Sequence, residues 1–174
     1  MDQQPLDTLA NVAITLAAFS GMVVAFRLRG ASVWSPTELR VLWFLVGDSF
    51  LVLFFALLPV PMALAEWPPD VIWGLCSALL GTWFLVGFVL AVRGERRDRA
   101  ARTWITIPVI TPLLYAIYLV ALLMGVALWL CVLGYWVPRG QAVYVLGLIV
   151  LLAFAAVEFM YFIGLMAQQD KEQR

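Results

Sequence analysis

Long apolar runs separated by short polar clusters dominate the chain. A helix rises 1.5 Å per residue and needs about 20 apolar residues to cross the ~30 Å hydrocarbon layer of a bilayer. Windows of that length fall at Thr8–Phe26, Leu39–Ala63, Val71–Val92, Pro112–Trp136 and Gln141–Ala167. The pattern predicts an all-α fold, a polytopic transmembrane helix bundle of five spans forming a single domain over residues 1–174. "EWPPD" reads as a stiff turn after the second span, and "VPRGQ" turns the chain between the fourth and fifth. Pro108 and Pro112 interrupt helical hydrogen bonding before the fourth span. "TWITIPVITP" therefore reads as an interfacial approach, with Trp104 at headgroup level.

Composition agrees with this pattern. The chain is 64% hydrophobic and 13% charged, against about 45–50% apolar and ~25% charged for a soluble domain. The lipid bilayer is thus its first partner. Eleven basic and eleven acidic residues cancel, which gives nucleic acid no electrostatic footing. Histidine is absent, removing the commonest metal ligand and the usual proton shuttle near neutral pH. Cys76 and Cys131 lie far apart within apolar runs and read as small packing residues.

The charges that remain are placed unevenly. Arg27, Arg29 and Arg40 follow the first span, and Arg93, Arg96, Arg97, Arg99 and Arg102 follow the third. Lys171 and Arg174 follow the fifth, and of the basic residues only Arg139 falls on the opposite side. The positive-inside rule then puts the N-terminus outside and the C-terminus in the cytoplasm. "RGERRDRAAR" reads as a cytoplasmic topogenic loop that can touch lipid headgroups. The N-terminus has no basic n-region, so the first apolar segment is expected to stay as a helix.

Inside lipid, helices associate through small residues and interhelical hydrogen bonds. On the first span Ala10, Ala17, Gly21 and Ala25 form a small-residue stripe, while Thr8, Asn11 and Thr15 form a polar one on a separate face. A helix with two such faces is expected to be surrounded by protein. The third span adds the pairs Gly74/Ala78 and Ser77/Gly81. Packing within the chain and a seam between copies both fit.

"LAAFSGMVVAFR", "FFALLPV" and "AVYVLGLIVLLAFAAVEFMYFIGL" resemble segments of small, poorly characterised bacterial inner-membrane multi-helix proteins. In those, a glycine-containing first span precedes basic residues and Y-x-x-G-L opens the last span. The resemblance implies a multi-pass protein of a bacterial plasma (inner) membrane with about five helices. It implies no activity, cofactor or site residue.

Two acids interrupt the apolar runs. Asp48 lies about nine residues into the second span, roughly 13 Å deep, and Glu158 lies at similar depth in the fifth. An ionised acid there costs at least ~2.5–3.5 kcal/mol, so each marks a protein-lined or hydrated position. Three readings stay open. Neutral acids can act as interhelical hydrogen-bond glue, with Ser49, Thr82, Tyr118 and Tyr161 as partners. Two acids without a counter-cation can form a proton or cation pathway. They can also meet a polar group on another subunit. An enzyme is not expected, because no G-x-S-x-G, phosphate-binding glycine loop, histidine metal motif or soluble domain is present. No cofactor or metal site is indicated. The sequence therefore predicts a non-enzymatic membrane protein that self-associates or joins another membrane protein, with a proton or cation route at Asp48 and Glu158. The alternative is a structural accessory subunit.

Overall fold

The structure, a computed structural model, describes residues 7, 8, 10–12, 14, 15, 18, 21, 36–101, 110–135 and 141–172. Among these, every extended element is helical: α1 (Pro36–Leu57), α2 (Pro59–Leu64), α3 (Pro69–Ala100), α4 (Ile110–Val132) and α5 (Gln141–Glu172). Three of the helices begin on proline, whose missing N–H costs nothing in a first turn. Four segments are long and apolar enough to cross a membrane: Leu42–Leu64, Pro69–Ala100, Thr111–Val132 and Gln141–Gly164. The first of these joins α1 to α2 in one crossing. Most of the expected first span, including Ala17 and Ala25, lies outside the described residues.

Three boundaries differ from the sequence reading, for local reasons. The basic run after the third span is helical through Ala100 and is not a loop. Arginine, glutamate and alanine are good helix formers, and Glu95 and Arg99 pair across one turn at 2.7 Å. α4 is described from Ile110, so Pro112 lies within the helix rather than opening it. The same helix ends earlier than expected, at a glycine stop. Gly134 adopts φ 77°, its N–H bonds Cys131 O at 3.1 Å, and Tyr135 N–H bonds Leu130 O at 3.0 Å. This paired motif closes the last helical carbonyls.

α3 packs against α4, and α1 packs against α5, which also touches α4 and α3. Apolar side chains occupy both the inside and the outside. Leu45, Val52, Leu80, Leu128 and Leu148 are buried, while Trp43, Phe50, Leu119 and Leu123 are exposed, as suits a lipid-facing rim. Backbones approach closely at the α3–α4 seam. A Cβ on Gly81 would lie 3.1 Å from Leu128 Cβ and 3.3 Å from Gly125 O, and one on Gly125 would lie 3.0 Å from Leu85 Cγ. On α5, a Cβ at Gly147 would meet Leu80 Cδ2 at 2.8 Å.

The α1–α5 pair is fixed by a different device. Pro59 has no N–H to give Phe55 O, so that carbonyl loses its helical partner. The fully buried Tyr144 hydroxyl donates to Phe55 O at 2.5 Å instead. A Tyr144→Phe substitution keeps the ring on Trp73, 5.8 Å between centroids, but orphans the carbonyl. It is expected to lower unfolding free energy by about 1–2 kcal/mol, read by denaturant titration in bicelles. Unchanged stability would mean that Phe55 O finds another donor.

Candidate functional site

Asp48 sits on α1 one turn after Phe44, and both side chains face the bundle interior. Asp48 is buried, and the Trp83 indole N–H of α3 donates a hydrogen bond to it. Glu158 of α5 faces the same space, near enough for its charge and that of Asp48 to interact. Its Oε2 is fully buried and has no hydrogen-bond partner among the described residues. Between the two acids lies a cavity of ≈ 50 Å³. A water needs about 10–15 Å³ measured this way, so the cavity has room for roughly four.

All four long helices contribute walls at helical spacing. α1 gives Phe44, α3 gives Trp83, Phe84, Gly87 and Phe88, α4 gives Tyr118 and Ala121, and α5 gives Leu151 and Phe154. Phe84 and Phe154 meet edge to face, 5.7 Å between centroids. A Cβ built on Gly87 would meet nothing within 4 Å, so the missing side chain leaves open space there. No basic side chain is among the described lining residues. The chemistry follows from that inventory. Two carboxyl groups in an apolar enclosure without a counter-cation must either hold protons or take a cation from outside.

The other residues singled out from the sequence fall in varied places. Tyr118 lines the cavity, whereas Tyr161 is buried elsewhere on α5. Ser49 is buried but donates its hydroxyl hydrogen to Leu45 O at 2.8 Å. Thr82 is exposed and donates to Ala78 O at 2.7 Å. Gly81 lies in the α3–α4 seam, and Gly74 and Ala78 are half-buried. Gly21 is exposed, with nothing within 4 Å of an added Cβ. Cys76 and Cys131 are buried free thiols.

Trp83, the aromatic walls and Gly87 went unmarked in the sequence. Trp83 did carry a signal: tryptophan favours the membrane interface, so a mid-span indole N–H calls for an internal partner. One turn beyond the cavity, a polar cluster joins α3 to α4. Tyr115 hydroxyl donates to Glu95 Oε1 at 2.5 Å, and the Arg99 guanidinium donates to that hydroxyl. Tyr115 also contacts Tyr118 at 6.4 Å between ring centroids, linking this cluster to the cavity wall. Among the described residues, no group of three or more His, Cys, Asp or Glu side chains is placed to hold a metal ion. Compared with family models, curated proteins and solved structures, the chain matches none.

Proposed function

We propose that the chain is a non-enzymatic membrane protein whose working centre is the Asp48–Glu158 cavity, a proton- or cation-binding station on a route through the bundle. One observation carries this reading. Two acids line one cavity with no basic side chain among its described lining residues, and one glutamate oxygen is buried without a hydrogen-bond partner among the described residues. Hydrogen-bond glue alone gives no reason to leave that oxygen unpaired, because orphaning a buried acceptor costs about 1–3 kcal/mol. In this proposal the protein crosses a bacterial plasma membrane five times, with its N-terminus outside.

A second reading, assembly with further copies or as an accessory subunit, draws support from the first apolar segment. Asn11 and Gly21 are both exposed in the single chain, and a polar amide facing lipid calls for a protein neighbour.

Proteoliposome flux separates the two readings. Wild-type protein is expected to dissipate an imposed proton or cation gradient. Asp48→Asn and Glu158→Gln should fall to the level of protein-free vesicles while keeping their helix content. Wild-type vesicles as tight as protein-free ones would sink the pathway and leave assembly. In cells carrying a Cys76→Ser/Cys131→Ser background, impermeant maleimide should label Pro69→Cys but not Arg97→Cys. The reverse pattern would invert the orientation.

A further inference from the structure

We infer that the Asp48–Glu158 cavity binds a small protonated amine, a primary or secondary alkylammonium, rather than a metal cation. This rests on the proposed cation-binding role of the same cavity and names the class of cation.

The oxygen supply argues first. Hard cations such as Ca²⁺ and Mg²⁺ need about six to eight oxygen ligands, or must keep several waters. Among the described lining residues, side-chain oxygens come from Asp48, Glu158 and Tyr118 only. The rest of the wall is largely carbon, much of it the rings of Phe44, Trp83, Phe84, Phe88 and Phe154. Aromatic rings attract organic ammonium groups through their π-electron faces and pack against alkyl carbons, whereas they replace metal-bound water poorly.

The hydrogen-bond inventory narrows the class further. Asp48 already accepts from the Trp83 indole, while Glu158 lines the cavity and its buried Oε2 has no donor among the described residues. An alkylammonium brings N–H groups that can bond the two cavity-lining carboxylates with charge assistance. A quaternary ammonium has no N–H and makes no such bond. Size sets the upper limit. A cavity of ≈ 50 Å³ takes about four water-sized groups, which suits an amine such as propylammonium. The open space at Gly87 gives the alkyl tail room between the rings.

Charge balance defines the exchange. When a neutral carboxylic acid meets the cation, its O–H bond breaks, the carboxylate pairs with the ammonium, and one proton leaves to solvent. Binding should therefore release up to one proton per amine and weaken as pH falls.

The test uses the full-length chain in lipid nanodiscs, with isothermal titration of propylammonium, tetramethylammonium and sodium chlorides. Propylammonium is expected to bind saturably at one per chain, about 10- to 100-fold tighter than tetramethylammonium, the difference one charge-assisted hydrogen bond makes. Glu158→Gln should lose a similar factor. Gly87→Leu, which fills the open space while leaving both acids in place, should also lose binding. Sodium binding as tightly as propylammonium, or tetramethylammonium matching it, would overturn the assignment. Carboxylate-dependent flux without saturable propylammonium binding would overturn it while the cation-site reading stands. Loss of both would remove the cavity as a functional site.

Discussion

Glu158→Leu is expected to stabilise the folded protein while abolishing the proposed cation binding. Oε2 of Glu158 is buried without a partner among the described residues, and such an orphaned acceptor costs about 1–3 kcal/mol. Leucine is of similar reach, is a good helix former and suits the neighbouring Phe154 and Leu151. Unfolding free energy in bicelles should therefore rise by about 1–3 kcal/mol, with flux and amine binding both gone. Asp48→Leu should act in the opposite direction. It strands the Trp83 N–H that now bonds Asp48, at a cost of about 1–2 kcal/mol. This opposed pair of signs is what distinguishes a site held open for a ligand from a hydrogen-bonded fixture. If Glu158→Leu destabilises as Asp48→Leu does, both acids belong to the glue, and the cavity is a packing gap.

The same two acids show how far the sequence could be read. Charge inside an apolar run is conspicuous, because lipid penalises it, so Asp48 and Glu158 stand out without a structure. Apolar run length located, for the same reason, the four segments long and apolar enough to cross. The inner faces were not legible. In a soluble protein hydrophobicity marks the core, but here Leu80 is buried while Leu79, its neighbour on α3, is exposed. Lipid and core accept the same side chains, and the difference lies in shape and polar satisfaction. Gly125 and Gly147 illustrate the point. Each meets a leucine side chain from another helix, yet neither belongs to the small-residue pairs that sequence spacing suggested. Ser49 and Thr82 show the converse, since a hydroxyl in a helix can bond the carbonyl four residues back. Charge suggested a loop at "RGERRDRAAR", although its helix formers and its Glu95–Arg99 spacing favoured a continued helix.

Two glycines on facing helices offer the sharpest test of the bundle geometry. Gly125 of α4 presses on α3, where an added Cβ would sit 3.0 Å from Leu85 Cγ and 3.1 Å from Phe84 Cβ. Phe84 Cβ is tied to the backbone and cannot swing away as a side-chain tip could. Gly125→Leu must therefore part the two helices, and the loss is expected to reach about 3 kcal/mol or more, since overpacking alone costs 1–3. Gly87 of α3 stands beside open space, so Gly87→Leu should change stability by less than about 1 kcal/mol. Separating α3 from α4 also pulls Trp83 and Phe84 away from Tyr118 and Ala121, opposite walls of the cavity. Gly125→Leu should thus lose fold and binding together, whereas Gly87→Leu should keep the fold and lose binding alone. Thermal melts and propylammonium titration of the two variants read these outcomes side by side. Equal destabilisation by the two leucines would mean that the helices do not meet along this seam. Retained binding in a well-folded Gly87→Leu protein would place the ligand elsewhere.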